Sequence, residues 1–97
     1  MEQFVLMIAL SSALRTALLR HSVTKRESGS GTTMILQHEA WDALSTLARN
    51  GRDAAGSRWS DVTATAAKEL GANTGIPSSR VVAILNAGAD GRPFPQA

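Results

Sequence analysis

The residues that could hold a metal ion or transfer a proton are few in this 97-residue chain. His38 and Asp42 are four positions apart, with Glu39 beside His38, so on a helix the imidazole and the carboxylate would share one face. Two ligands cannot complete a structural zinc site, and the chain contains no cysteine. We therefore predict a solvated polar face at these positions, with no metal site and no cofactor.

Catalytic patterns are also missing from the sequence. The chain has serine, histidine and carboxylate residues but no nucleophile elbow, phosphate-binding loop or paired-glycine dinucleotide motif. Acid–base and nucleophilic catalysis need a positioned pair of groups in a cleft that excludes water, and one small domain has little volume for such a cleft. We therefore expect that the protein is not an enzyme. His21 is expected to be a residue at the C-terminal end of a helix and not a catalytic base.

The charge is weakly basic and evenly spread. Ten Lys and Arg residues against eight Asp and Glu give a formal net charge of +2, and the longest basic run is Lys25-Arg26. Proteins that bind nucleic acid without sequence preference usually carry a clustered basic face, which is not visible at this level. The composition therefore permits an acidic partner without demanding one. The absence of cysteine gives no evidence against the cytosol, and we expect a cytoplasmic protein.

Apolar residues at three- and four-residue spacing predict an amphipathic helix from about Glu2 to His21, within an N-terminal segment 1–27. This segment includes a run of seven successive apolar residues at positions 4–10. The run is shorter than the roughly 20 apolar residues that span a bilayer. Glu2 also precedes it, where a signal peptide would carry basic residues. We favour a helix that docks on protein over an interfacial membrane anchor or a signal peptide. The candidate partner-binding residues on its apolar face are Phe4, Met7, Ile8, Leu14 and Leu18.

The stretch Ser28-Gly29-Ser30-Gly31 predicts a flexible linker over residues 28–33. Both a natural loop and an engineered linker fit this composition. If the linker were engineered, residues 1–27 and 34–97 would come from two chains that bind each other. Extended chain from Met34 is an alternative to a helix that begins nearby.

Three further helices are predicted in residues 34–88, followed by an extended tail over 89–97. The predicted helices run from about Leu36 to Asn50, from an N-cap at Ser60 to near Gly71, and from Pro77 to Gly88. Asn50-Gly51 is interpreted as a helix stop that opens a polar loop over residues 51–58. Trp41 is expected in the core, and Trp59 is expected to pack back on the helix that Ser60 caps.

The stretch Ala66-Ala-Lys-Glu-Leu-Gly-Ala-Asn-Thr-Gly75-Ile-Pro-Ser-Ser-Arg-Val-Val-Ala-Ile-Leu-Asn86 resembles the helix-turn-helix of small repressors and antitoxin-type regulators. In that motif an apolar residue lies five positions before a turn glycine, as Leu70 lies before Gly75. Ile76 matches the apolar residue after the glycine, and Val81 and Ile84 match the apolar positions of the second helix. The chain departs from the pattern at position 71, where glycine replaces the usual alanine.

The resemblance implies that the second helix of the motif faces the major groove of duplex DNA. The implied DNA-binding residues are Ser78, Ser79, Arg80, Val82, Ala83, Asn86 and Lys68. The implied phosphate contacts are Arg52, Arg58, Lys68, Arg80 and Arg92. The second helix departs from the family because it carries the apolar run 81–85, and because Val82 and Ala83 offer no hydrogen bond to a base.

The sequence thus predicts an all-α fold, a small four-helix domain with a helix-turn-helix-like C-terminal half. Two functions follow as expectations. One is a DNA-binding transcriptional regulator, which we expect to be dimeric because one short helix contacts few base pairs. The other is a protein–protein interaction module, a docking domain or antiactivator whose N-terminal helix docks in a hydrophobic groove of a partner. Solvent exposure of Val82 and Ala83 would favour DNA, whereas a helix packed over them would favour protein interaction.

Overall fold

The structure is a computed structural model that describes the backbone of residues 2–27 and 31–94, with side chains described for 8–22, 36–72 and 74–94. Helices occupy Glu2–Arg20 (α1), Trp41–Ala55 (α2), Trp59–Thr74 (α3) and Ser78–Ala89 (α4). Short 3-10 turns at His38–Ala40 and Gly56–Arg58 precede α2 and α3. The all-α prediction is therefore confirmed at the level of fold class. Within the described ranges no helix is long and apolar enough to cross a bilayer.

An antiparallel ribbon joins α1 to the rest of the chain. Its strands are Ser22–Glu27 (β1) and Gly31–Leu36 (β2), with Ser22 paired to Leu36 and Glu27 paired to Gly31. The Gln37 amide donates to the His21 carbonyl at 2.9 Å, which closes the open end of the ribbon. The predicted linker over 28–33 is thus wrong at residues 31–33, which are strand. Residues 28–30 lie outside the described residues.

The core forms where α1 and α2 pack with α3 and α4, with α1 mainly against α3 and α2 mainly against α4. Leu14 and Leu18 of α1 are almost fully buried beside Val62, Leu70 and Leu85 in the same core. Because α1 shares this core, it belongs to the same packed unit as α2, α3 and α4. Removing this much apolar surface from water is the main stabilising contribution available to a domain of this size.

The second predicted helix was misplaced at both ends. Leu36 ends β2 rather than starting a helix, and α2 continues through Gly51 to Ala55. Gly51 is buried, and a Cβ at this position would lie 3.3 Å from the Trp59 ring. The glycine at position 51 therefore permits close helix packing instead of stopping the helix. The chain turns at Gly56, whose φ of 56° favours glycine.

Both tryptophans are buried and hydrogen-bonded, as large aromatic residues with a polar atom usually are. Trp41 is in the core as predicted, and its Nε1 donates to the Arg92 carbonyl at 3.0 Å. Trp59 is the first residue of α3, so Ser60 lies inside the helix and is not its N-cap. Nε1 of Trp59 donates to Oδ1 of Asn86 at 2.8 Å, which ties the start of α3 to α4.

Candidate nucleic-acid interface

The corner between α3 and α4 is a three-residue turn over residues 75–77. Gly75 ends α3 in the left-handed conformation, with φ 79°, and its amide donates to the Gly71 carbonyl at 2.8 Å. The Thr74 hydroxyl donates to the Leu70 carbonyl at 2.7 Å and accepts a bond from the Ile76 amide at 3.3 Å. These bonds satisfy backbone groups that the end of a helix would otherwise leave unpaired.

Gly71 lies within the last turn of α3, so the prediction that the helix ends near this residue was three residues short. The chain folds back so closely that a Cβ on Gly71 would lie 2.9 Å from the Ile76 carbonyl oxygen. Real Cβ atoms essentially never approach an oxygen this closely. The departure from alanine at this position therefore has a physical reason in this chain, because the turn passes directly over the helix.

Four apolar side chains are buried at the turn between α3 and α4, at the positions that the sequence matches to the apolar positions of the motif. Leu70, Ile76, Val81 and Ile84 are each at most 3% exposed. Residues 60–86 contain no strand, and the helix is interrupted at Gly75. The two helices and their tight turn are therefore held by packing as well as by backbone hydrogen bonds.

One side of α4 faces solvent. Ser79, Ala83 and Asn86 are exposed at helical spacing, and Arg80 and Val82 are half-buried at its two edges. Ser78 is exposed at the first turn of the helix. Lys68 is exposed on α3, a different helix. Of the two positions expected to discriminate between the functions, Ala83 is exposed to solvent, whereas Val82 is partly packed against the core.

Asn86 has a structural role that sequence reasoning missed. Its Oδ1 accepts the hydrogen bond from Trp59, so the acceptor is engaged and the amide NH₂ donors remain for an outside group. The two residues are 27 positions apart in the sequence, so no local sequence pattern could have predicted this hydrogen bond. A buried indole N–H needs a partner, and the exposed end of Asn86 supplies it.

The basic residues around α4 differ in how firmly they are held. Arg80 and Arg92 line a shallow groove beside α4 with a volume of about 410 Å³, together with Ala83 and Phe94. Nη2 of Arg92 is 3.7 Å from Asp90, and the Arg92 side chain is 70% exposed. Its cation is therefore available to an anion beside the helix.

Arg52 is less available for a phosphate than the resemblance implies. Its guanidinium contacts the Asp90 carboxylate at 2.5 Å and donates to the Ala89 carbonyl at 2.7 Å. These contacts fix α2 to the C-terminal end of α4. Arg58 is exposed in the 3-10 turn before α3.

His38 and Asp42, which the sequence assigns to a solvated polar face, do not share a helix. His38 lies in a 3-10 turn before α2, whereas Asp42 is in the first turn of α2. The His38 ring contacts Phe94 edge-on at a centroid distance of 4.7 Å. In the described part of the chain, no group of three or more His, Asp or Glu residues is placed to hold a metal ion.

The candidate partner-binding residues on α1 have divergent surroundings. Leu14 and Leu18 are core residues, which corrects the prediction that they bind a partner. Ile8 is 50% exposed and remains available. Phe4 and Met7 lie outside the residues whose side chains are described. Leu19, which the sequence did not assign to the partner-binding set, is 43% exposed on the same helix.

Comparison with known proteins adds no relative from which a function could be transferred. The chain matches no protein-family model, and no curated protein and no solved structure is significantly similar to it.

Proposed function

We propose that the chain is a small DNA-binding regulator of the helix-turn-helix type, a binding protein without catalytic activity, in which α4 enters the major groove. The observation that carries the proposal is the exposed side of α4. Ala83 is exposed in the middle of this helix, with Ser79 one turn before it and Asn86 about one turn after it. An α-helix can enter the major groove only if no other part of the protein packs over the side that faces the DNA.

The chemistry of this surface suits a duplex. The Ser79 hydroxyl and the amide NH₂ of Asn86 can donate to base edges or phosphates, and the Ala83 methyl can contact a thymine methyl. Arg80 on α4 and Arg92 just after it line one groove and supply cations for the phosphate backbone. Each contact to a base edge contributes little binding free energy, so we expect the affinity to depend mainly on the phosphate contacts. The affinity should therefore fall as the salt concentration rises.

A matched pair of substitutions tests this surface. Ala83→Glu places a carboxylate where the phosphates and base edges would lie, and should weaken binding of a duplex by about tenfold or more. Ala54→Glu makes the same chemical change on an exposed alanine of α2 and should leave the affinity within about threefold of wild type. Fluorescence anisotropy with a pool of random-sequence duplexes measures both. Equal affinities for the two variants would reject α4 as the DNA-contacting helix.

A protein-interaction module is the second candidate, and the exposure of Ile8 and Leu19 favours it. Isolated exposed apolar residues are ordinary, but these two lie on one helix. If duplex DNA does not bind at micromolar protein while α1 variants disrupt an association, this second function replaces the first.

A further inference from the structure

A groove lies between α2 and the tail that follows α4, and we call it the α2–tail groove. One wall is a face of α2 that includes Asp42, Ser45 and Arg49, and the other wall is formed by residues 91–94. Its volume is about 520 Å³, which is within the range of sites for small molecules. The groove is separate from the exposed side of α4, because it lies where the tail crosses α2.

Arg49 supplies a cation in this groove. Its side chain is exposed, and it makes no hydrogen bond or ion pair within the described part of the chain. Nη2 of Arg49 lies against Gly91 of the tail, where a Cβ would approach it to 2.9 Å. The glycine therefore leaves room for the guanidinium beside the tail. A guanidinium offers a planar fork of N–H donors that matches the two oxygens of a carboxylate.

Two carboxylates line the same groove toward the start of α2. Glu39 and Asp42 are exposed, and neither is paired with a cation among the residues that the structure describes. Asp42 lies seven residues before Arg49, which is about 10 Å along the helix and about 20° around it. This separation corresponds to two or three residues of extended chain. The opposite charges therefore complement a short ligand with an ammonium group at one end and a carboxylate at the other.

Ser45 lies on α2 between these charges and is only 9% exposed. Its Oγ is buried and has no hydrogen-bond partner among the described residues. A buried hydroxyl without a partner is uncommon, because the group loses its bonds to water and gains none in exchange. Since a serine hydroxyl turns about one bond, a polar group held in the groove can supply the missing partner.

We propose that the α2–tail groove binds a small zwitterionic peptide of two or three residues. Arg49 binds its carboxylate, Asp42 binds its ammonium group, and the Ser45 hydroxyl bonds to a peptide group between them. Phe94, which is half-buried in the tail wall, packs against the N-terminal side chain of the peptide. Because the charged contacts are exposed, the dissociation constant should be millimolar. The proposal does not rest on DNA binding.

The two charges of the ligand can be tested one at a time. The probe is the dipeptide phenylalanyl-alanine, and its N-acetyl and C-terminal amide derivatives each lack one charge. Arg49→Gln should raise the dissociation constant of the dipeptide by about three- to fivefold and abolish the preference for the dipeptide over its amide. Asp42→Asn should reduce the preference for the dipeptide over its N-acetyl derivative. Each variant should leave the other preference unchanged, which fixes the orientation of the ligand.

Ser45→Ala separates a binding role from a structural one. It should weaken binding by about threefold or more, without lowering the free energy of unfolding, because the hydroxyl has no partner in the free protein. Arg20→Gln is the control for lost positive charge, since Arg20 is exposed on α1 outside the α2–tail groove. This variant should bind the dipeptide like wild type.

Nuclear magnetic resonance of the backbone amides, recorded as each ligand is added, gives the dissociation constants and shows which residues are affected. The proposal is overturned if the dipeptide shifts no residue of the groove at tens of millimolar, or if both derivatives bind as tightly as the dipeptide. It is also overturned if Arg49→Gln behaves like Arg20→Gln, or if Ser45→Ala binds like wild type. Anisotropy with DNA is measured separately, so failure of peptide binding leaves the DNA proposal to its own test.

Discussion

Replacing Gly71 by alanine sets two effects of opposite sign against each other. Glycine within a helix costs about 1 kcal/mol relative to alanine, so helix propensity alone predicts a more stable variant. The new Cβ, however, would lie 2.9 Å from the Ile76 carbonyl oxygen, and this atom belongs to the backbone of the tight turn. Displacing packed backbone costs about 1–3 kcal/mol. We expect Gly71→Ala to lower the free energy of unfolding by about 1 kcal/mol.

Gly88→Ala is the matched control, since Gly88 is also a helical glycine. Its added Cβ would lie 3.4 Å from the nearest atoms, Ala48 Cβ and Ser45 Cα, which is close to ordinary contact. This variant should be as stable as wild type or more stable by up to about 1 kcal/mol. Thermal unfolding followed by circular dichroism measures both, with about 4–8 °C expected per kcal/mol. If Gly71→Ala is as stable as Gly88→Ala, the Ile76 carbonyl oxygen does not lie as close to Gly71 as the structure shows.

Two further predictions concern contacts that hold α4 in place. Trp59→Phe removes the N–H that bonds to Asn86 and leaves a smaller ring in the core, so urea unfolding should show a loss of about 1–2 kcal/mol. Arg52→Ala removes the contacts with Asp90 and the Ala89 carbonyl, whose partly exposed geometry predicts a loss of only about 0.5–1 kcal/mol. If both losses are negligible by urea unfolding, these contacts do not anchor α4. Arg52→Ala should also leave DNA affinity nearly unchanged if this side chain is structural.

The corner between α3 and α4 was predictable because its signals are local. Gly75 follows an apolar helix face and permits the left-handed turn, and Pro77 favours the start of the next helix. The apolar spacing of Val81 and Ile84 then specifies which side of α4 is buried, and the structure agrees. The exposure of Ala83 was left open by the sequence, because the apolar run 81–85 does not show on how many sides the helix is buried.

The errors arose where distant contacts decide the local structure. Asn50-Gly51 has the sequence of a helix stop, but the ring of Trp59 packs on Gly51 and the helix continues. The glycines of 28–33 suggested a linker, whereas residues 31–33 pair with β1. The sequence of α1 considered alone predicts a partner for Leu14, because it does not reveal that α3 of the same chain packs against α1.

The proposed DNA binding depends on α4 as the helix that contacts the duplex and on exposed cations on and near it, and the salt dependence of duplex binding tests this directly. Each phosphate contact contributes a slope of about −0.9 to log affinity against log salt. With Lys68, Arg80 and Arg92 as contacts, we predict a slope of about −3 per bound chain, reduced by about 1 in Arg80→Ala. A flat salt dependence, or a slope that Arg80→Ala leaves unchanged, would contradict the account.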